Sequence, residues 1–139
     1  MERIICLAIG YLFGMFQTSY IIGKIHHMDI RQYGSGNAGT TNALRTLGKK
    51  AGAMTLIGDM LKCVIAILIV DAVFKNRYQE ILPLLGMYTA AGCVLGHNFP
   101  FYLGFRGGKG IAASAGMLLA MDWRVFLICA VIFIGLVAI

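Results

Sequence analysis

The sequence predicts an all-α, polytopic transmembrane helix bundle, laid out as a single transmembrane domain over residues 1–139. Three observations predict it. Hydrophobic residues make up 59% of the chain and charged residues only 13%, about half the charged share of a typical soluble domain. So few charges cannot cover the surface of a small water-soluble globule, whereas a lipid-facing surface needs no such cover. Apolar stretches long enough to cross a bilayer recur along the chain, and the basic residues fall mostly between them.

Residues 4–25 are almost uncharged, interrupted only near the end by Lys24, and read as a first span. A signal peptide would need a shorter apolar region and a small-residue cleavage site, and neither is evident. Gly10, Gly14 and Gly23 suit close helix packing in a membrane. Residues 26–50 are polar, basic and rich in Gly, Asn and Thr, so they belong outside the hydrocarbon or along a protein-walled cavity. Residues 51–74 form a second span with Asp59 and Lys62 inside it, followed by a short turn at Lys75, Asn76 and Arg77. Residues 81–98 form a third span that ends at His97, and residues 99–110 are a second Gly-rich basic loop. Residues 111–122 are apolar but short, as a partial or tilted helix would be, and Trp123 suits an interfacial anchor. Residues 125–139 are apolar to Ile139. About 15 residues is short for a span, and no polar flank follows, so the chain is expected to break off inside a helix.

The formal net charge is +6. The loops after the first and third spans carry seven cations (Lys24, Arg31, Arg45, Lys49, Lys50, Arg106 and Lys109), against four on the other side (Arg3, Lys75, Arg77 and Arg124). The excess places both Gly-rich loops in the cytoplasm and the N-terminus outside, as expected for a multi-pass protein of the cell membrane. Nucleic acid is excluded as a partner, since no basic face with interleaved aromatics appears. Cys6, Cys63, Cys93 and Cys129 all lie in apolar stretches without a C-x-x-C pair, and the three histidines form no zinc pattern. No metal, disulfide or cofactor is therefore expected.

Four constellations carry chemistry. The first runs from Gly34, Ser35, Gly36 and Asn37 through Thr41 and Asn42 to Arg45, Lys49 and Lys50. Its glycines let the backbone turn and expose N–H groups. Asn42 suits the cap of a helix starting near Ala43, on which Arg45 and Lys49 share a face. This makes a phosphate cradle, or equally an interfacial loop bearing positive-inside charge. The second is Phe105-Arg106-Gly107-Gly108-Lys109-Gly110. It is not a Walker loop, because Leu103 stands where the first Gly is required and Gly110 where Ser or Thr is required. A Gly-Gly-Lys-Gly turn at a helix start offers backbone donors and an ammonium to an anion, or is a plain turn. The third is Asp59 with Lys62, three apart on one helix face, pairing with each other or with a ligand inside the bundle. The fourth is His97, placed to act as a general base or to fix a loop by hydrogen bonding. No nucleophile–base–orienter set and no G-x-S-x-G elbow occurs.

Taken together these residues resemble the acyl-phosphate–glycerol-3-phosphate acyltransferases. Gly34-Ser35-Gly36-Asn37 through Asn42 and Arg45, then Leu47 to Gly52, resembles the family's first motif, and Asp59 with Lys62 matches the Asp-x-x-Lys that follows. Gly96-His97-Asn98-Phe99-Pro100 and Phe105 to Gly110, continued by Ser114 and Gly116, resembles the second. The similarity runs from about Gly10 to Leu119. It implies a bundle of about seven spans, of which roughly five are present here, and transfer of an acyl group from acyl phosphate to glycerol 3-phosphate, giving lysophosphatidic acid. Both substrates carry phosphate, and acyl phosphate is already activated, so positioning and charge stabilisation suffice without a covalent intermediate. The resemblance assigns chemistry to Ser35, Arg45, His97 and Lys109. It assigns substrate binding to Gly34, Gly36, Asn37, Thr41, Asn42, Lys49, Asp59, Lys62, Arg106, Gly107, Gly108, Gly110 and Ser114. Expected partners are the two substrates, membrane lipid and the enzyme that makes acyl phosphate. Three departures stand out. Met15, Phe16 and Gln17 replace a Ser-Ile-Pro-like stretch. Cys63 replaces a Gly, which predicts a looser helix contact. The family's third motif, with Asn and Glu, has no counterpart. A portion of the enzyme without activity of its own, or a membrane anion-binding or transport protein, are the other readings.

Overall fold

The computed structural model describes residues 1–138, with side chains as far as Leu136; Ile139, the end of the expected last span, lies outside the described residues. The described residues form seven α-helices: α1 (Glu2–Gly14), α2 (Thr18–Ile25), α3 (Thr40–Leu47), α4 (Lys49–Phe74), α5 (Leu82–Asn98), α6 (Ile111–Met121) and α7 (Trp123–Ala138). Among the described residues there is no strand. The pair α1–α2, taken as one rod, and α4 are long and apolar enough to cross a membrane. At 26 residues α4 is about 39 Å long. Its apolar residues point outward as well as inward: Met54, Ile57, Leu61, Leu68 and Val73 are exposed. A helix that is hydrophobic all round and only partly packed suits lipid.

The expected first span is not one helix. It breaks at Met15–Gln17, where Gln17 takes an extended backbone. Inside a bilayer each carbonyl freed by a break must find a donor. Tyr102 donates its hydroxyl to the Met15 carbonyl at 2.7 Å, and Lys62 donates to the Phe16 carbonyl at 2.6 Å. The wholly buried Gln17 donates Nε2 to the His97 carbonyl at 2.7 Å. No proline is needed for the kink, because side chains from α4 and the second loop take up the backbone groups it exposes.

The contact of α1 with α5 is the most extensive in the fold. It is made by small residues on both sides. Gly10 and Gly14 lie against the backbone of Thr89 and Cys93, while Gly92 and Gly96 lie against Leu7 and Tyr11. A β-carbon at any of the four would collide with backbone, so two Gly-x-x-x-Gly faces meet at close approach. Cys63, Ile67, Ala90, Cys93 and Ala113 form the core shared by α4, α5 and α6. Cys63 is fully buried there. The looser contact expected of it does not occur, since a thiol is small enough to pack between helices.

Candidate active site

The polar segment between α2 and α4 is tied down by its own side chains. Asp29 caps a single-turn helix at Ile30–Gln32 and accepts from Arg31 through both oxygens, Nε at 3.0 Å and Nη2 at 2.7 Å. The Arg31 guanidinium holds the Asp29 carboxyl below the usual carboxylate range, and the same contact raises Arg31. Arg31 also donates to the Leu103 carbonyl at 2.8 Å and stacks over Tyr20, so it joins the two Gly-rich loops to α2. Nothing in the sequence motifs marked this clamp; Asp-x-Arg beside the loop was its only signal.

Asn42 does not cap a helix. α3 begins two residues earlier, at Thr40, with Gly39 before it. Asn42 is buried in the first turn and fastens the preceding loop, donating to the carbonyls of Ile30 and Tyr33 and accepting from the Ser35 amide, all at 3.0 Å. Gly34 has φ of 57°, and its open Cα faces the Asn42 amide oxygen, leaving no room for a side chain. Arg45 and Lys49 also do not share a helix face. α3 ends at Leu47, Gly48 turns the chain at φ 90°, and Lys49 starts α4. Arg45 is thereby separated from Lys49 in direction.

The second loop folds back on the end of α5. The Gly107 and Gly108 amides donate to the carbonyls of Asn98 and His97 at 3.1 and 3.0 Å, and Ala38 of the first loop donates to the Gly107 carbonyl at 3.3 Å. Gly108 packs directly on the His97 ring, with its Cα against Nε2. Lys109 and Gly110 then lead into α6, as the sequence predicts for a turn at a helix start.

Beneath the loops lies a buried charged group. Lys62 Nζ is 3.0 Å from Asp59 Oδ1 and 2.8 Å from His97 Nδ1. Asp59 Oδ1 also accepts from Thr18 at 3.1 Å, while its Oδ2 has no protein partner. Asp59, Lys62 and His97 are each at most 5% exposed. Charges this deep persist only when paired and hydrogen-bonded.

Loops and buried group enclose one cavity of about 430 Å³. Of the expected site residues, Ser35, Asn37, Thr41, Asn42, Arg45, Asp59, His97, Lys109 and Gly110 line it. Gly34, Gly36, Lys49, Lys62, Arg106, Gly107, Gly108 and Ser114 do not. Lys62, Gly107 and Gly108 stand behind His97, Gly34 shapes the loop, and Lys49 and Arg106 are exposed. Gly39 and Thr40, which lie within the first Gly-rich run but were assigned no role, also line it, and sequence reasoning missed Leu56, Ile111, Ala112 and Phe133. Thr40 brings a buried hydroxyl without a protein partner. The others are glycine or apolar and come together only through the fold.

The fold and the cavity define a class: an all-α bundle of membrane type, with two cations, a histidine and a carboxylate gathered in one pocket that has an apolar wall. Comparison with known proteins agrees. The family described as Glycerol-3-phosphate acyltransferase matches residues 4–139. A glycerol-3-phosphate acyltransferase of Clostridioides difficile is 54% identical over 138 residues, covering 98% of this chain and 67% of the relative. One from Lactiplantibacillus plantarum is 46% identical, covering 99% and 64%. The crystal structure of PlsY (YgiH), an integral membrane glycerol 3-phosphate acyltransferase in its glycerol 3-phosphate form, superposes with a TM-score of 0.81 at 34% identity, over 98% of this chain and 66% of that one. Its lysophosphatidic acid form gives 0.79 at 33%. The chain belongs to the glycerol-3-phosphate acyltransferase family. It spans about two thirds of the length of these relatives.

Proposed function

We propose that these residues form the substrate site of a membrane acyltransferase that moves a fatty acyl group from acyl phosphate to glycerol 3-phosphate. The observation that carries this reading is the composition of the cavity beneath the two loops. Arg45 and Lys109 enter it from different segments, beside Ser35, Asn37, Thr41 and the Asp59–His97 pair, while Leu56, Ile111, Ala112 and Phe133 supply an apolar wall. A phosphorylated polar substrate and an acyl chain need those two surfaces next to each other. The likeness to a structure in its glycerol 3-phosphate form supports the same assignment.

The chemistry balances without a cofactor. The glycerol 3-phosphate hydroxyl oxygen attacks the acyl carbon, the bond from that carbon to the phosphate oxygen breaks, and inorganic phosphate leaves. The hydroxyl proton passes to a phosphate oxygen of the donor. Arg45 and Lys109 neutralise phosphate charge, and Ser35, Asn37 and Thr41 orient the acceptor. We place the protein in the cell membrane as one transmembrane domain. Its two loops face the cytoplasm, where acyl phosphate is delivered by the enzyme that makes it.

The test is donor choice. Residues 1–139 are joined to the C-terminal segment of the Clostridioides difficile relative, reconstituted in vesicles, and supplied with glycerol 3-phosphate and one donor at a time. Lysophosphatidic acid is expected from acyl phosphate and not from acyl-CoA. Product from acyl-CoA as sole donor would overturn the assignment.

A further inference from the structure

We infer that Lys62 is a positioning residue that locks His97 in the Nε2–H form, so that His97 presents a hydrogen-bond donor to substrate. The inference rests on the reading of the cavity as a phosphate-substrate site. The geometry around Lys62 carries it. An ammonium has three donors and no acceptor. Three acceptors surround Lys62 Nζ: the Phe16 carbonyl at 2.6 Å, His97 Nδ1 at 2.8 Å and Asp59 Oδ1 at 3.0 Å. An ammonium here gives one proton to each of the three acceptors. Its third proton then points at Nδ1, which has to present a lone pair. A neutral imidazole that accepts at Nδ1 carries its proton on Nε2.

Nε2 is on the opposite side of the ring. It lies against the bare Cα of Gly108, and His97 lines the cavity. Among the described residues Nε2 has no hydrogen-bond partner in the protein, so its proton is free for an anionic oxygen in the cavity. The ring cannot turn over to offer the other nitrogen. Lys62 holds Nδ1 and the bare Cα of Gly108 packs on the Nε2 edge, while Gln17 and the Gly108 amide fix the backbone carbonyl of the same residue. The helix break at Phe16 takes part, since it frees the carbonyl that anchors Lys62. The charged groups facing His97 are Lys62 and Asp59 of α4, with Arg45 of α3 and Lys109 of the second loop across the cavity.

The direct test is long-range proton–nitrogen NMR on the 139-residue chain in detergent, with isotopically labelled histidine. His97 is assigned against His26 and His27 by single His→Gln substitutions. A protonated Nε2 and a bare Nδ1, unchanged from pH 6 to pH 8 across the ordinary histidine range, are expected. A bare Nε2 overturns the inference whether or not acyl transfer occurs, so its failure is separable from failure of the proposed function. Kinetics of the chimera described above give the second arm. Loss of one such donor costs about a hundredfold, so His97→Ala falls by that amount, while His97→Gln, which keeps an N–H of similar reach, recovers at least about tenfold. Equal loss in the two variants, together with a rate limb near the histidine range in the parent, would mean that His97 is the base.

Discussion

At the scale of single residues, the site depends on side chains that hold other side chains. Asp29 and Arg31 are the half-buried example. Asp29 is depressed in the folded state, so its contribution is present above the unfolded carboxylate value of about 3.9 and is lost as pH falls through the lower folded value. Acidification below about pH 4 should therefore loosen the junction of the two loops. Asp29→Asn should remove that part of the acid dependence and lower stability at neutral pH by about 1 kcal/mol, read by thermal unfolding in detergent at both pH values. The buried counterpart is larger. Asp59→Asn leaves Lys62 charged without its carboxylate and should cost about 3–5 kcal/mol. A loss within about 0.5 kcal/mol, the range of ordinary surface changes, would show that the pair is not held as the structure has it. Ser35, Arg45, Asp59, His97 and Lys109 were legible in the sequence because each is a polar residue where hydrocarbon or a Gly-rich loop leaves few reasons for one. Asp29 and Thr40 were not, because a charge or hydroxyl in a polar loop looks like any other.

At the scale of elements, two features decide where the site residues sit. One is the Gly-x-x-x-Gly contact of α1 with α5, which brings the broken first span close enough for Gln17 to reach the His97 carbonyl. Gly14→Val or Gly96→Val should push the helices apart and cost at least about 1–3 kcal/mol, with loss of ligand response as well. Gly135→Ala, where nothing lies within reach of a new methyl, should be neutral or slightly stabilising, since alanine favours helix. Melting curves of the three variants against the parent check this, and equal behaviour would count against the contact. The other feature is the break at Met15–Gln17. The helices after it were readable to within about two residues, because apolar runs and flanking charges bound them. The break was not, because Gln17 has none of the local signals of proline or glycine. It is imposed by partners distant in sequence, Tyr102, Lys62 and His97. The same reason explains Asn42, whose short polar side chain reads as a cap but is used to fasten a loop.

At the scale of the whole molecule, the bundle gathers Arg45, Asp59, His97 and Lys109 at one cavity and turns apolar helix faces outward. Hydropathy alone separates those two, so the fold class was legible from composition and spacing. The cavity's apolar wall was not: Leu56, Ile111 and Phe133 are ordinary span residues until α4, α6 and α7 bring them beside Arg45 and Lys109. If the two loops form one phosphate site, the two cations act on the same ligand and their removal is not additive. The most direct measurement is thermal unfolding of the chain in detergent with increasing glycerol 3-phosphate, for the parent, Arg45→Ala, Lys109→Ala and the double variant. A ligand at a hundred times its dissociation constant stabilises by about 2.7 kcal/mol. The account predicts a clear rise for the parent, a smaller one for each single variant, none for the double, and none for glycerol without phosphate. No rise in the parent at millimolar ligand, or an equal rise with plain glycerol, would contradict it.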